Sequence, residues 1–221
     1  MKIKWIGMAA IAGVMACVME LILEVYAASK NPGYSPISQS ISYLGNPESP
    51  THHLVKIGSI FFTVLFVFFA VGFFKAFKYS FDKSKVATVL LVFYGLGQGM
   101  GAGLFSMDTS KSKDSWVNIG HDIFSGIGDV ALVLFPLVML SYFSKTQRYF
   151  TILVSGLGIA FMLLFLSAKF EWTSQTIPYK GLWQRLFQLV YYVNFIFIAY
   201  QMGFKSTSQM DSLSNTSNVK I

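Results

Sequence analysis

Six apolar runs punctuate the chain, at about residues 5–26, 54–77, 86–105, 119–143, 150–168 and 182–204. Each has roughly the 20 residues that a helix needs to cross about 30 Å of hydrocarbon. Inside a bilayer no water is available to the backbone, so a run of this length must satisfy its own peptide groups as a helix. The pattern predicts an all-α polytopic membrane bundle of six transmembrane helices occupying residues 1–204. The Ser/Thr/Asn-rich remainder, 205–221, is too polar to bury a core and is expected to be a disordered tail.

The first run begins like a secretory signal, with Lys2 and Lys4 ahead of the apolar stretch. It outlasts a normal signal core, carries Glu20 and Glu24, and lacks a small-residue cleavage site, so it reads as a retained span. With 54% hydrophobic and 12% charged residues the chain is too apolar for an ordinary soluble domain. A net charge of +7 without any basic block argues against a nucleic-acid partner. The expected partner is the lipid bilayer, and no signal for an oligomeric state stands out. The single cysteine, Cys17, lies within the first span, which leaves no intramolecular disulfide and no zinc-knuckle spacing.

The basic residues set an expected orientation. If the N-terminus is inside, one side collects ten of the seventeen Lys and Arg residues, with only Asp82 and Asp211 as acids, for a net charge of +8. The opposite side nets −1, with seven bases against eight acids. Both termini and the short loops 78–85 and 144–149 are therefore expected in the cytoplasm, with the protein multi-pass in the membrane. Lys169, Glu171 and Trp172 would close the fifth span at the outer interface.

The first extracytoplasmic loop is too long to be a simple turn. Ser35-Pro36 reads as an N-cap with proline at the first helical position, and Gly45 as the residue after the C-cap. Ile37, Ile41 and Leu44 repeat at i, i+4 and i+7, opposite Ser38, Gln39 and Ser42, so a short amphipathic helix is expected over 35–45. It would lie at the interface as a lid. The second span (FFTVLFVFFAVGFF) has no buried charge and reads as a lipid-facing Phe/Val stripe. The third carries Gly95, Gly99 and Gly103, a doubled GxxxG ridge for close helix packing, with Gln98 as its strongly polar side chain.

Polar groups inside spans are costly and mark functional positions. In the fourth span Asn118, Asp122, Ser125 and Asp129 fall within about 60° of one another at 100° per residue, with His121 to the side. Glu20 and Glu24 on the first span and Arg185 on the sixth occupy the same outer halves, and Gln184, Gln188 and Tyr191 form a second polar stripe. This segregation points to one outward-facing polar pocket. Its candidate ligand-binding residues are Glu20, Glu24, Ser38, Ser42, Asp108, His121, Asp122, Asp129, Gln184 and Arg185. By depth, Arg185 is expected to pair with Asp122 or Asp108.

Three chemistries suit such a pocket. A metal-assisted hydrolase would draw its ligands from His121, Asp122 and Glu24 (or Glu20), but a lone intramembrane histidine is a thin donor set, and no metal or cofactor is expected. A serine mechanism would use Ser125, His121 and Asp122 as catalytic residues. Three groups on one helix turn fit a nucleophile–base–orienter arrangement poorly. Binding or transport of a small or lipid-like ligand asks least of these residues. Membrane-embedded hydrolysis and a purely structural, partner-scaffolding bundle remain as alternatives.

Three motifs resemble those of a known family. Tyr34-Ser35-Pro36-Ile37-Ser38-Gln39-Ser40-Ile41-Ser42-Tyr43-Leu44-Gly45 is similar to the YSPxSxxISxLG signature of the uncharacterised prokaryotic membrane proteins catalogued as domain of unknown function 998. Gly103-Leu104-Phe105-Ser106-Met107-Asp108 resembles the G-x-F-P-x-D motif of that family, with Ser106 in place of proline, followed by a helix bearing histidine, here His121. Gly181-Leu182-Trp183-Gln184-Arg185-Leu186 resembles its G-x-x-Q-R element. The resemblance implies a six-helix bundle without an established activity. It also implies that the 35–45 segment, Asp108, His121 and Gln184–Arg185 belong together.

Overall fold

The structure, a computed structural model, describes residues 2–169 and 178–217, with side chains described for 4–169 and 178–203. It is helical, with no strand among the described residues. The helices are α1 (Lys2–Lys30), α2 (His52–Phe77), α3, α4 (Trp116–Met139), α5 (Lys145–Lys169) and α6 (Lys180–Ser217). Helix α3 starts as Ser84–Tyr94, widens into a π-helical stretch at Gly95–Gly101 and ends as Ala102–Leu104. Six segments, one in each helix, are long and apolar enough to span a membrane, and each overlaps one of the six runs read from the sequence, the fourth ending at Met139 rather than 143. The protein is a multi-pass membrane protein. Glu171 and Trp172 lie outside the described residues, as do the side chains of the tail.

Each helix packs against the next in the chain, and α6 returns to α1, so the six close into a ring. The centre is aromatic. Phe62, Phe66, Phe69, Phe73 and Phe77 of α2 are all 1% exposed or less, which overturns the lipid-facing reading of that span. Phe66 meets Phe195 of α6 edge-on at 4.8 Å and Tyr94 of α3 at 5.0 Å. The five rings recur every three or four residues and so share one helix face. Lipid tails and a protein core are equally apolar, which is why hydropathy could not choose between them. The opposite face, with Ile57, Phe61 and Val64, is the exposed one.

The glycines of α3 let both neighbours approach. A Cβ on Gly99 would overlap Thr63 of α2, and one on Gly97 would press on the Phe124 carbonyl of α4. The Thr63 hydroxyl donates to the Gly95 carbonyl at 3.0 Å, satisfying a backbone acceptor in the π-helical stretch. Small residues at such contacts replace the hydrophobic drive that lipid removes.

The expected 35–45 helix is interrupted. Gln39 N–H closes a turn onto the Ser35 carbonyl at 2.8 Å, Ser40 is extended (φ −67°, ψ 157°), and only Ile41–Gly45 coil again, as a 3₁₀ helix. The cause is competition for backbone groups. A continuous helix would pair Ile41 N–H with the Ile37 carbonyl. Here Ile41 N–H donates to Gln184 Oε1 at 2.8 Å, and the Ile37 carbonyl accepts from Leu182 N–H at 2.9 Å. Helix α6 takes both partners.

Candidate functional site

The polar residues collect at the end of the ring that carries the 31–51 and 105–115 loops. Helix α4 starts there with Ser115 as N-cap, its hydroxyl accepting from Asn118 N–H at 3.4 Å. Asn118 then binds the preceding loop. Its Oδ1 accepts from Asp108 N–H at 2.8 Å, and its Nδ2 donates to the carbonyls of Asp108 and Ser112 at 2.9 and 3.0 Å. The Asp108 carboxylate accepts from the Ser110 hydroxyl at 2.6 Å and faces Lys111 Nζ at 3.1 Å. These two contacts, the Ser110 hydrogen bond first, hold it below the usual aspartate range. Asp108 therefore fastens its own loop.

His121 sits one turn further along. Its Nδ1 faces the carbonyls of Phe105 (2.9 Å) and Ala102 (3.3 Å), two groups at the end of α3 that have no helical partner of their own. Facing acceptors, Nδ1 must carry the proton, and in the neutral ring Nε2 then accepts from the Ser42 hydroxyl at 3.0 Å. The residue paired with His121 is thus Ser42, from the first loop. Ser125 instead turns its hydroxyl to the Asp122 carbonyl on its own helix at 3.3 Å.

Below this layer is a cavity of about 110 Å³, room for several waters. Glu20 and Glu24, one turn apart on α1, stand on one side and Asp129 of α4 on another. Leu23, Phe62, Leu132 and Phe187 supply apolar wall. Tyr94 donates to the Tyr192 hydroxyl at 3.2 Å, and Tyr192 donates to Glu20 Oε2. Gln188 Nε2 donates to Glu24 Oε1 at 2.6 Å and to the Tyr192 hydroxyl at 3.0 Å. Gln98, in the π-helical stretch of α3, donates to Asp129 Oδ1 at 2.6 Å and to the Ser125 carbonyl at 3.1 Å. Stretches of π-helix recur at functional positions, and here one carries a lining side chain.

Arg185 closes the rim, though not on the expected aspartates. Its Nη1 donates to the carbonyls of Pro36 (2.7 Å), Gln39 (3.3 Å) and Gly181 (3.1 Å), and its Nη2 to the Tyr34 hydroxyl at 2.6 Å. Its Nε lies 3.9 Å from Glu24 Oε2. Burial pushes the Tyr34 phenol above its ordinary value, with the adjacent Arg185 pulling the other way, so it stays a neutral hydroxyl here.

Of the residues predicted from sequence, Glu20, Glu24, Ser42, His121, Asp129 and Gln184 line the cavity, and Arg185 braces Glu24 from the rim. Four lie elsewhere. Ser38 is exposed on the loop, Asp108 is tied within its own loop, and Ser125 caps back onto α4. The Asp122 side chain is 66% exposed and faces Lys169 at 3.5 Å. His121, Asp122 and Glu24 are thus not gathered as metal ligands, and among the described residues no group of three or more His, Cys, Asp or Glu is. Gln98, Gln188, Tyr94 and Tyr192 were absent from the predicted set. For Gln188 the signal was present in its i+4 spacing from Gln184.

Residues 11–200 match the model of the family described as protein of unknown function (DUF998). The chain belongs to that family. No curated protein and no solved structure matches it. In this DUF998 protein the three motif segments meet at one end of the ring. Gly45 lies against Ser106, and Gly181 lies so close to the Pro36 and Gln39 carbonyls that a Cβ would collide with both.

Replacing Arg185 by lysine tests that junction. A lysine ammonium lacks the planar fork needed to reach several carbonyls and a hydroxyl at once. Arg185→Lys is expected to lose about 1.5–3 kcal/mol of stability, the scale of hydrogen bonds to a charged group, and to speed proteolysis within 32–40. Unchanged melting together with an equally protected loop would refute this role.

Proposed function

We propose that the protein binds or moves a small or lipid-like ligand held in this cavity, which opens towards the outer face of a prokaryotic cytoplasmic membrane with both termini inside. One observation carries the reading. Three carboxyl side chains from two helices converge on a void within a membrane-spanning bundle, where each isolated charge would cost about 2.5–3.5 kcal/mol. A purely structural bundle gains nothing from such an arrangement, whereas a ligand or water can satisfy it. The polar floor and apolar wall suit an amphiphile or a compact polar molecule.

Mass spectrometry of protein purified in mild detergent is the direct test. A discrete small molecule or lipid species is expected to be enriched over bulk lipid and depleted several-fold in Glu24→Gln. Identical bulk-lipid profiles for both proteins would move the reading to a structural role. Orientation has its own test: Ser112→Cys in a Cys17→Ala background is expected to react with an impermeant maleimide on intact cells. Failure to label intact cells, with labelling after lysis, would invert the topology.

Hydrolysis is the second reading, and the contact between the Ser42 hydroxyl and His121 Nε2 favours it. A hydroxyl donating to a ring nitrogen whose other N–H is anchored on a carbonyl is the beginning of a nucleophile–base pair. Covalent labelling of Ser42 by a fluorophosphonate, lost in His121→Ala, would raise this reading above binding. An unlabelled Ser42 would leave the contact as a tether between the loop and α4.

A further inference from the structure

Hydrogen-bond donors and acceptors in the cavity are out of balance. Tyr94 gives its proton to Tyr192, and Tyr192 gives its own to Glu20. Gln188 spends its amide N–H groups on Glu24 and the Tyr192 hydroxyl. Gln98 spends its own on Asp129 and the Ser125 carbonyl. His121 uses Nδ1 on α3 carbonyls, and the Ser42 hydroxyl is committed to Nε2. Apart from the Gln184 amide N–H groups and the Ser59 hydroxyl, what remains on the lining are acceptors.

Gln188 Oε1 is the clearest. The residue is only 8% exposed and belongs to the cavity wall, yet this oxygen has no hydrogen-bond partner. Flipping the amide does not help, because it would turn the oxygen towards the Glu24 carboxyl and leave the N–H groups unpaired. Buried polar atoms are almost always paired, so an orphan beside a void marks a missing partner. On the same cavity lining, Glu20 and Asp129 each have one oxygen that accepts no hydrogen bond among the described residues.

Acidic side chains outnumber basic ones at the same place. Glu20, Glu24 and Asp129 share the cavity, and the cation beside it is Arg185. That guanidinium makes its short contacts to three backbone carbonyls and Tyr34, and it stands 3.9 Å from Glu24. Lys169 faces Asp122 outside the cavity wall.

Resting on the ligand-binding reading, we infer that the cavity takes a protonated primary amine with an apolar body. Its ammonium would donate to Gln188 Oε1 and to the carboxyls of Glu20 and Glu24, and its hydrocarbon would lie along Leu23, Phe62 and Phe187. An ammonium supplies three donors and a positive charge, the two quantities missing around Gln188 Oε1 and the carboxyls of Glu20 and Glu24. An anion would meet three carboxyls, and a neutral alcohol would bring one donor and no charge.

The test is a matched series of short, water-soluble probes on the full-length protein in mild detergent: pentylamine, pentanol and pentanoate, read by isothermal titration calorimetry. Pentylamine is expected to bind about tenfold or more tightly than pentanol, as a charge-assisted contact should, with no measurable heat from pentanoate. Glu20→Gln and Glu24→Gln keep the side-chain shape and should each weaken pentylamine binding several-fold without lowering the melting temperature. Asp122→Asn, outside the cavity, should leave it unchanged. Equal binding of pentanol and pentylamine, or a preference for pentanoate, would overturn the amine assignment while leaving a binding cavity. Silence from all three probes, alongside a co-purified species of another chemistry, would overturn the amine alone. Silence with no co-purified species would overturn both.

Discussion

A peptide group that leaves a helix near the membrane must find another partner, because an unpaired buried backbone group costs about as much as a lost hydrogen bond. The 34–45 segment meets this demand partly through its own turns and partly through α6. Leu182 takes the Ile37 carbonyl, Gln184 takes the Ile41 N–H, and Arg185 takes the Pro36 and Gln39 carbonyls. The seam also explains two sequence choices that have no other visible reason. Gly181 must lack a side chain to sit against those carbonyls, and Ser40 must extend so that the backbone can break between two coiled stretches. Once the seam is made, Ser42 faces His121, and His121 in turn closes the free end of α3. The position of the cavity roof follows from one row of exchanged hydrogen bonds.

Beneath that roof the protein combines two interiors. The aromatic core from Phe62 to Phe77 is fully apolar and packs by ring edges and faces. Directly above it, Tyr94 and Tyr192 belong to both: their rings are part of the core, and their hydroxyls join the chain that ends on Glu20. Such a chain is stronger in a low-dielectric setting than in water, and an unpaired member is correspondingly costly. The glycine-rich π-helical stretch lets α3 approach α2 and α4 closely while delivering Gln98 to Asp129.

Much of this was legible in the sequence. Apolar run length fixed the six spans, because the thickness of the bilayer leaves little choice. Intramembrane carboxyls marked the cavity, since Glu20, Glu24 and Asp129 would otherwise be hard to accommodate. What was not legible depended on partners distant in the chain. Helical phase placed Asp122 with Asp129, yet the buried face of α4 runs through Asn118, His121 and Gly128, and Asp122 lies beyond its edge. The 35–45 periodicity was real, but local periodicity competes with partners for the same N–H and C=O groups, and here α6 won. Arg185 lay at the right depth for aspartate, but the Pro36 and Gln39 carbonyls of the loop claimed it. Ser125 was the serine within helical reach of His121, whereas the serine that meets it comes from 79 residues away. The phenylalanines of α2 share one face, but phase alone does not say whether that face meets lipid or protein.

The seam between the first loop and the last helix has a consequence for assembly. Its hydrogen bonds join residues 143 to 151 positions apart, such as Ile41 with Gln184 and Tyr34 with Arg185. A ribosome delivers the loop long before it delivers α6, and non-local contacts form only after the intervening chain has been ordered. Until then the Pro36 and Ile37 carbonyls lack the donors that α6 supplies, and the loop cannot hold the conformation that positions Ser42. The roof of the cavity is therefore the last part of this end to form, and a nascent chain that stalls before α6 exposes its carboxyl groups with nothing above them.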